Sequence, residues 1–292
     1  MILWADIPQA SSRIRQAMAG AIGSGQKCLL RSLCCTIVMV FVHIANAQSL
    51  RGANLMEVGL HSQSTDMDCT KEGVDVGATG AWCLYEDTQG KELERGYPLA
   101  KNHVPADPGV AQLLMRRFQD NQRILDLGCG IGQYGHFFHA NKPGIHWTGY
   151  DGALNVVKFT RGFVNRADLT QPLKLEGPNY DWVMSLEVGE HMPKQFEKQL
   201  FDNIVSYARC GVVLSWAVPG QGGHSHVNEQ TNEYVIDKMR QHGFEHSPCW
   251  TKERQASHYS WFKNTLMFFD KKDAPSDCSA SCPTPVTAVS SP

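Results

Sequence analysis

Two short segments of the chain carry side chains that could act as acids, bases or metal ligands. One is Glu187-Val-Gly-Glu190-His191, and the other is a glycine-rich loop that contains His224 and His226. Histidine changes its charge near neutral pH, and carboxylic acids transfer protons when their pKa lies in the right range. The candidate catalytic residues are therefore His191, His224, His226 and Glu190.

Other roles for these side chains stay open. Together with Glu187 they could hold a divalent cation through mixed nitrogen and oxygen ligands, although the sequence by itself assigns no metal site. His191 could instead tether its loop, and Glu190 could cap the helix that follows. His224 and His226 could be exposed loop residues without a chemical role.

A glycine-rich turn lies further upstream. In Asp126-Leu-Gly128-Cys-Gly130-Ile-Gly132, an apolar strand pattern changes into a helical one. Glycines let the backbone approach a ligand closely, and a helix amino terminus offers free N–H groups to an anionic group. Residues 130–135 also match the G-x-G-x-x-G dinucleotide fingerprint, with Asp151 at the spacing of its ribose-binding acid.

Charge separates the two kinds of ligand that this turn could bind. Asp126 ends the strand and directs a carboxylate into the mouth of the turn, where it would repel the pyrophosphate of a dinucleotide. A phosphate-free cofactor with positive charge would be attracted instead, and Asp151 suits ribose hydroxyls in either case. The sequence favours the cationic cofactor. A nicotinamide enzyme and a turn without any ligand are the alternatives.

Strand and helix patterns alternate around these motifs. Strand patterns cover residues 123–127, 146–150, 181–186, 211–218 and 264–270, and helical patterns cover residues 107–120, 133–140, 154–160, 194–207 and 233–242. The first helical pattern is expected to be capped by Asp107. Such alternation predicts a parallel sheet with helices on both faces. Ligands of open α/β sheets bind beyond the carboxyl ends of the strands, so the glycine turn and both histidine segments are expected at one edge.

The motifs resemble those of the class I methyltransferases that depend on S-adenosylmethionine. The likeness rests on residues 126–132, Asp151, Ala-Asp168-Leu169 and residues 181–193, where Ser-Leu-Glu-Val-x-Glu-His is similar to ubiquinone-biosynthesis-type O-methyltransferases. It implies an α/β fold, a Rossmann-like three-layer αβα sandwich. The sheet should have seven strands, mostly parallel, with an antiparallel last strand.

The resemblance also implies which residues contact S-adenosylmethionine. The glycines would lie under its methionine part, Asp151 at its ribose, and Asp168 with Leu169 at its adenine. The full set of predicted cofactor-binding residues is Asp126, Gly128, Gly130, Gly132, Asp151, Asp168, Leu169 and Glu187. Gly189 departs from the family, which usually has a large apolar residue there, so the start of the following helix is loosened.

The sequence thus predicts an enzyme that transfers a methyl group from S-adenosylmethionine to an oxygen, or less readily a nitrogen, of a small molecule or glycan. A protein acceptor is the runner-up. A non-catalytic binding module of the same fold is the alternative of another class. That module would be expected to have damaged cofactor motifs, whereas Asp126, the glycines and Asp151 are intact. Trp216 is expected near the acceptor. The oligomeric state stays open.

The amino terminus predicts entry into the secretory pathway. Lys27 and Arg31 precede an apolar run at residues 34–45, and Ala45-Asn-Ala47 has the form of a cleavage site. Residues 1–47 are therefore expected to be a signal peptide that is removed, which leaves no membrane span. A single membrane anchor is the alternative, disfavoured because the run is shorter than the ~20 residues of a spanning helix.

The remaining chain divides into three parts. Residues 48–104 are expected to be an irregular lead segment that covers the active site, residues 105–271 the methyltransferase domain, and residues 272–292 a disordered tail. Removing residues 1–47 takes away four basic residues and one acid, so the net charge changes from −2 to −5. An acidic body without basic clusters indicates no nucleic-acid partner.

Seven of the ten cysteines follow residue 47. The pairs nearest in sequence are Cys69 with Cys83 and Cys278 with Cys282, which an oxidising compartment could join. Cys129 and Cys210 fall in predicted core turns and are expected to stay buried thiols. No Cys-x-x-Cys pair indicates zinc.

Overall fold

The structure, a computed structural model, describes residues 69, 77, 79–87, 98–177, 179–278 and 281–283. Its strands are β1 (Arg123–Leu127), β2 (His146–Asp151), β3 (Asn165–Arg166), β4 (Tyr180–Leu186), β5 (Ala208–Ser215), β6 (Phe244–His246) and β7 (Met267–Lys271). Its helices are α1 (Pro108–Arg117), α2 (Gln133–Asn141), α3 (Val156–Phe159), α4 (Glu197–Tyr207), α5 (Asn232–Gln241), α6 (Pro248–Thr251) and α7 (Ser260–Thr265). The predicted signal peptide at residues 1–47 lies outside the described residues.

All seven strands form one sheet in the order β3-β2-β1-β4-β5-β7-β6. β1 pairs in parallel with β2 and β4, β2 with β3, and β4 with β5. β7 runs antiparallel to both of its neighbours, β5 and β6. The predicted Rossmann-like sandwich with an antiparallel last strand is therefore confirmed.

Side chains of the central strands alternate between two apolar cores, because successive residues of a strand point to opposite faces. Leu125 and Val183 belong to one core, which α4 and α5 cover, for example through Phe201. Ile124 and Trp182 belong to the other core, which α1, α2 and α6 cover. Burial on both faces explains why β1, β4 and β5 are almost continuously apolar.

Most predicted elements lie where the sequence placed them, and the differences have local causes. β5 begins at Ala208 and ends at Ser215, three residues earlier than predicted at each end, because it follows α4 without a turn. Residues 264–265, predicted as strand, finish α7 instead. The short strands β3 and β6 were not predicted, since two or three residues are too few to show a periodic pattern.

The disulfide bonds correct two predictions and confirm one. Cys69 is bonded to Cys83, as expected. Cys210, expected to be a free thiol, is instead bonded to Cys278, and the predicted partner Cys282 is bonded to Cys249. Cys129 is a buried free thiol, as predicted.

The chain after β7 is held against the sheet rather than released. Arg209 of β5 makes ion pairs with Asp181 of β4 (2.6 Å) and with Asp277 (3.0 Å), and this places Cys278 beside Cys210. Residues 276–278 form a 3₁₀ helix. The expected disordered tail therefore does not begin at residue 272; residues 284–292 lie outside the described part of the chain.

Asp107 joins the start of the domain to its carboxyl-terminal half. As predicted, it is the amino-terminal cap of α1, with its carboxylate accepting a hydrogen bond from the backbone N–H of Val110 (2.9 Å). The same carboxylate accepts from Ser257 Oγ (2.8 Å) and from the N–H groups of His258 and Tyr259 (2.8 and 2.6 Å). Among the described residues, no helix has the length and apolar character needed to cross a membrane.

Candidate functional site

The glycine turn follows β1 at the carboxyl edge of the sheet. Gly128, Gly130 and Gly132 adopt φ angles of +77°, +56° and +77°, which a side chain would disfavour. The N–H of Gly128 donates to the carbonyl of Tyr150 in β2 (2.8 Å), so the turn is tied to the neighbouring strand. On the opposite side, a Cβ on Gly128 would lie 2.3 Å from Val188, just after β4. The turn therefore lies between the ends of β2 and β4.

Two buried carboxylates face this turn. Asp126 and Asp151 are each 3% exposed. Burial raises the pKa of Asp126 to about 7, with a further contribution from the Asp151 charge, and Trp147 Nε1 opposes this by donating to Asp126 (3.1 Å). Burial also raises the pKa of Asp151, to about 6, although the N–H groups of Gly130 and Ala153 donate to it (2.7 and 2.8 Å). The turn is therefore lined by acids that are costly to keep ionised without a cation.

The two residues predicted at the adenine lie next to each other but differ in environment. The Asp168 carboxylate accepts hydrogen bonds from the N–H and the hydroxyl of Thr170 (2.9 and 2.6 Å), so it closes a local turn. Leu169 is buried in the core on the α4 side of the sheet. Residues 167–169 follow β3, and the N–H of Ala167 donates to the carbonyl of Asp151 (2.9 Å). Both residues therefore lie at the same edge as the glycine turn.

Three of the predicted catalytic residues form a compact cluster. Glu190, His191 and His226 each offer a carboxylate oxygen or ring nitrogen, and these atoms all lie within 4.8 Å of one another. The two imidazole rings are 4.9 Å apart between centroids and nearly perpendicular. Such a set of one oxygen and two nitrogen ligands fits a divalent transition metal or a mixed-ligand cation site.

Glu190 has an unusual environment for a carboxylate. It is fully buried, and neither side-chain oxygen has a hydrogen-bond partner of good geometry within the described part of the chain. The backbone amides of Glu190 itself and of Ala217 are near enough to lower its pKa somewhat. Burial, followed by the charge of Glu187, nevertheless raises the pKa of Glu190 well above its ordinary value. Burial, followed by the charge of His226, lowers the pKa of His191 to about 4.

The loop between β5 and α5, residues 216–231, carries His224 and His226 and is called the histidine loop. It is folded back onto this cluster. The N–H groups of Val227 and Asn228 both donate to the backbone carbonyl of Glu190 (2.8 and 3.0 Å). The carbonyl of Asn228 in turn accepts from Trp216 Nε1 (2.7 Å), which places Trp216 under the cluster as a support. Glu229 closes the loop by accepting from the N–H of Gly220 (2.8 Å) and from His226 Nδ1 (3.1 Å).

Gly189, the departure from the family pattern, has a clear steric reason. A Cβ at this position would lie 2.3 Å from the Trp216 indole. The indole thus fills the volume that a large apolar residue at position 189 would otherwise take. Residues 189–191 form a 3₁₀ turn that places Glu190 inward and His191 beside His226.

Two further predicted site residues, Glu187 and His224, lie outside the cluster of Glu190, His191 and His226. Glu187 has φ +55°, and its carboxylate accepts from Gln221 Nε2 (2.9 Å) and Thr265 Oγ1 (3.2 Å). Within the described residues, none of its hydrogen bonds reaches the glycine turn, so Glu187 lies on the histidine-loop side. His224 is exposed and is not part of the three-residue cluster.

The lead segment contributes two contacts that the sequence did not reveal. Trp82 Nε1 donates to Asp151 Oδ1 (3.0 Å), and the Trp82 ring is stacked on His103 with centroids 5.9 Å apart. A Cβ on Gly130 would lie 2.0 Å from His103 Nε2. Within the described residues, Trp82 and His103 of this segment thus lie at the glycine turn, while the role of residues 48–104 as a cover stays a prediction. Nothing in the spacing of Trp82 and His103 indicated that they would meet at the glycine turn.

Of the three comparisons with known proteins, the one with solved structures gave matches. No protein-family model matches the chain. No curated protein sequence matches it either. Among solved structures, the chain is similar to a TehB-like SAM-dependent methyltransferase from Corynebacterium glutamicum (17% identity, 59% of this chain and 90% of that one, TM-score 0.43). It is also similar to magnesium protoporphyrin IX methyltransferase from Synechocystis PCC 6803 with bound SAH (16%, 56% and 79%, 0.42).

A third similar structure is that of CalS10, an amino pentose methyltransferase from Micromonospora echinaspora with bound SAM (16% identity, 56% of this chain and 88% of that one, TM-score 0.41). With identities this low and TM-scores below 0.5, these similarities decide neither the fold nor the activity of this chain. The activity of this chain therefore has to be argued from its own residues. The finer likeness to ubiquinone-biosynthesis-type O-methyltransferases stays a prediction.

The raised pKa of Asp126 predicts how stability depends on pH. The folded pKa of about 7 lies above the unfolded value near 4, so the unfolded chain loses this proton first and stability falls as pH rises between these values. Asp126→Asn should remove that loss and still accept from Trp147. We expect its Tm to exceed that of the wild type by at least about 4 °C at pH 8 and to match it at pH 4.

Thermal melts of the ligand-free protein at both pH values check this prediction. The matched control is Asp273→Asn, because Asp273 is exposed. An equal change of Tm at pH 4 and pH 8 would show that Asp126 is ionised without cost in the folded chain.

Proposed function

We propose that this protein is a methyltransferase that transfers the methyl group of S-adenosylmethionine to a hydroxyl oxygen, or less readily a nitrogen, of a small molecule or glycan. The observation that carries the proposal is the pair of buried carboxylates, Asp126 and Asp151, at a glycine turn whose residues 126–132 include no Lys or Arg. A dinucleotide would add phosphate charge beside these acids, whereas a sulfonium and an ammonium group would compensate them.

The residues present fit this cofactor. Gly128, Gly130 and Gly132 leave room for a close backbone approach, and α2 begins directly after them, with Gly132 as its amino-terminal cap. The free N–H groups of the first helical turn suit the methionine carboxylate. Asp151 offers acceptors for ribose hydroxyls. The cofactor supplies an activated methyl group, so the chain's contribution is to align the acceptor and to handle its proton.

We assign the acceptor side of the site to the cluster of Glu190, His191 and His226. A divalent cation there would compensate the unpartnered Glu190 carboxylate, which is otherwise costly to bury. Such a cation lowers the pKa of a bound hydroxyl and fixes its orientation. The same geometry without a cation would leave one of the imidazoles as the base that takes the proton.

In this proposal, the acceptor binds between the cluster and the histidine loop. Pro219 and Gly220 are exposed, Gly222 and Gly223 follow, and a Cβ on Gly223 would lie 2.1 Å from the His226 ring. Glycines at these positions let the loop fold tightly over the cluster, as a lid over a bound acceptor would require. A protein acceptor remains the runner-up for this site.

We also propose that the protein acts in the secretory pathway, in its lumen or outside the cell. Three disulfide bonds within the described residues support this setting, because such bonds persist in oxidising compartments. The proposed signal at residues 1–47 predicts a mature chain that begins near Gln48. N-terminal sequencing of protein recovered from its own source checks this, and retention of residues 28–47 would favour a membrane anchor.

Calorimetry with S-adenosylmethionine and with NAD tests the cofactor. We expect the first ligand to bind and the second to give no heat. Asp151→Ala should weaken binding of the first by at least about tenfold, because each lost hydrogen bond to a charged acceptor is worth about 1.5–3 kcal/mol. The control is Asp120→Ala, at an exposed acid remote from the turn. Binding of NAD in place of S-adenosylmethionine would end the proposal.

Titration with Mn²⁺ alone tests the cation. We expect Glu190→Gln and His226→Ala each to weaken Mn²⁺ binding by at least about tenfold, since loss of one of three protein ligands leaves an incomplete site. The controls Glu176→Gln and His139→Ala replace exposed residues of the same types. A chelator should abolish methyl transfer, and added cation should restore it.

Two other results would change the role assigned to this cluster. Methyl transfer that survives chelation but falls about 10²–10⁴-fold in His191→Ala or His226→Ala would indicate a histidine base without a metal. Full turnover in every one of these variants would show that the cluster takes no part in the chemistry.

A further inference from the structure

Residues 79–87 form a strap that crosses the glycine turn. Its backbone is fixed at two adjacent points of the β2–α3 connection. The N–H of Leu154 donates to the carbonyl of Trp82 (2.9 Å), and Asn155 makes a reciprocal pair with the N–H and carbonyl of Leu84 (2.9 and 2.8 Å). Leu84 is 2% exposed and packs with Ile131 of the glycine turn. Cys83, bonded to Cys69, is buried as well.

Among the described residues, three N–H groups donate hydrogen bonds to the Asp151 carboxylate. A carboxylate offers about four lone-pair positions on its two oxygens. Oδ2 accepts from the N–H of Gly130, while Oδ1 accepts from the N–H of Ala153 and from Trp82 Nε1. Three positions are therefore in use, and one remains, on Oδ2. A ribose diol donates two hydrogen bonds, so one existing donor has to leave.

Only one of the three donors can leave without unfolding the turn. The N–H groups of Gly130 and Ala153 belong to the backbone at the ends of β1 and β2. Trp82 is a side chain, partly exposed, and its own backbone is held by Leu154. Rotation about its side-chain bonds would release Asp151 and leave the strap in place.

A second ring occupies the space over the turn itself. His103 lies against Gly130 so closely that an added Cβ would be 2.0 Å from Nε2, and its Nδ1 is 2.9 Å from the carbonyl of Val104. The same ring is stacked on Trp82, with 25° between the planes. Gly130 is one of the positions where the cofactor needs a close backbone approach. The two stacked rings therefore lie at both predicted contact points of one ligand.

We propose that Trp82 and His103 form a side-chain gate that occupies the ribose and methionine positions of the cofactor site and swings away when S-adenosylmethionine binds. This inference rests on the proposed function, because it takes that cofactor as the ligand. Before the cofactor binds, the indole N–H takes the place of a ribose hydroxyl and donates to Asp151. Displacement of the gate lowers the apparent affinity, because only the open fraction of the protein can bind.

The test compares S-adenosylhomocysteine binding by the wild type and by Trp82→Phe, which keeps an aromatic ring and removes the N–H donor. We expect the Kd to fall about tenfold in the variant, since the gate loses its hydrogen bond to a charged acceptor. Trp261→Phe is the matched control, because Trp261 is stacked on Tyr259 away from the turn. His103→Ala, which clears the space over Gly130, should also tighten binding.

A ligand that lacks one ribose hydroxyl provides a second measurement that a general effect on folding would not produce. With 2′-deoxy- or 3′-deoxy-S-adenosylhomocysteine, the fourth lone-pair position of Asp151 suffices, so the advantage of Trp82→Phe should shrink to less than about threefold. Near-ultraviolet circular dichroism and thermal melts establish that the variants are folded.

The outcomes separate the gate from the proposed function. If the wild type and Trp82→Phe bind with equal Kd, or if the variant binds more weakly, the gate is wrong and the cofactor assignment stands. If neither protein binds S-adenosylhomocysteine, both the gate and the proposed function fall. An equal gain for the complete and the deoxy ligands would also overturn the gate, because the gain would not come from ribose acceptors.

Discussion

Two acids buried side by side at the ends of adjacent strands set the conditions for the rest of the site. Asp126 and Asp151 each lie where water cannot solvate them, and the charge of Asp151 further raises the cost of ionising Asp126. Neutral N–H donors are what the fold supplies against this cost: the Trp147 indole for Asp126, and the backbone of Gly130 for Asp151. The N–H of Gly130 reaches Asp151 from a left-handed backbone conformation, which a side chain at this position would disfavour. The glycine turn is thus shaped by the acid as much as by a ligand.

The same principle applies to Glu190 on the other side of the β4 end. Three N–H donors satisfy Asp151, whereas the Glu190 carboxylate has no donor of good geometry. A fold selected only for stability would replace such a group by an apolar one, since an unpaired buried acid destabilises the folded state. Its retention beside His191 and His226 is explained if the site is completed by a cation or by a protonated acceptor group. The glycine turn and the Glu190 cluster therefore have one feature in common. Each contains a buried acid whose negative charge a positively charged partner would compensate.

The sequence predicted what depends on local pattern. The central strands, α1 with its Asp107 cap, and the glycine turn follow from periodicity and from glycine chemistry over a few residues. The cluster of Glu190, His191 and His226 was predicted in composition, because the ends of neighbouring parallel strands meet at one edge. Which of the two loop histidines, His224 or His226, joins the cluster could not be predicted, since it depends on how the loop after β5 folds back onto the Glu190 carbonyl.

What the sequence could not reveal depends on contacts between distant residues. Gly189 looked like a weakness of the motif until Trp216, far along the chain, was seen to occupy its missing side chain. Cys210 looked like a core thiol until Arg209 was seen to bring Asp277 and Cys278 to β5. Trp82 carried no signal at all, because an isolated tryptophan in a polar segment is consistent with many environments. In each case a side chain from a distant segment supplies the packing or the bonding partner that the local sequence does not provide.

Contacts of the same long-range kind connect the lead segment to the domain that carries the glycine turn. The strap packs Leu84 beside Ile131 in a small apolar core, so its backbone is part of the fold. Its Trp82 side chain adds a donor to Asp151 that the backbone alone does not provide. If Asp151 binds a ribose as proposed and stays hydrogen-bonded before the cofactor binds, it needs at least one donor that can be exchanged. Backbone donors cannot exchange without unfolding the turn, whereas a side chain on an anchored strap can. Because the strap backbone is anchored and the Trp82 ring can rotate, Asp151 keeps a donor until a ribose replaces it.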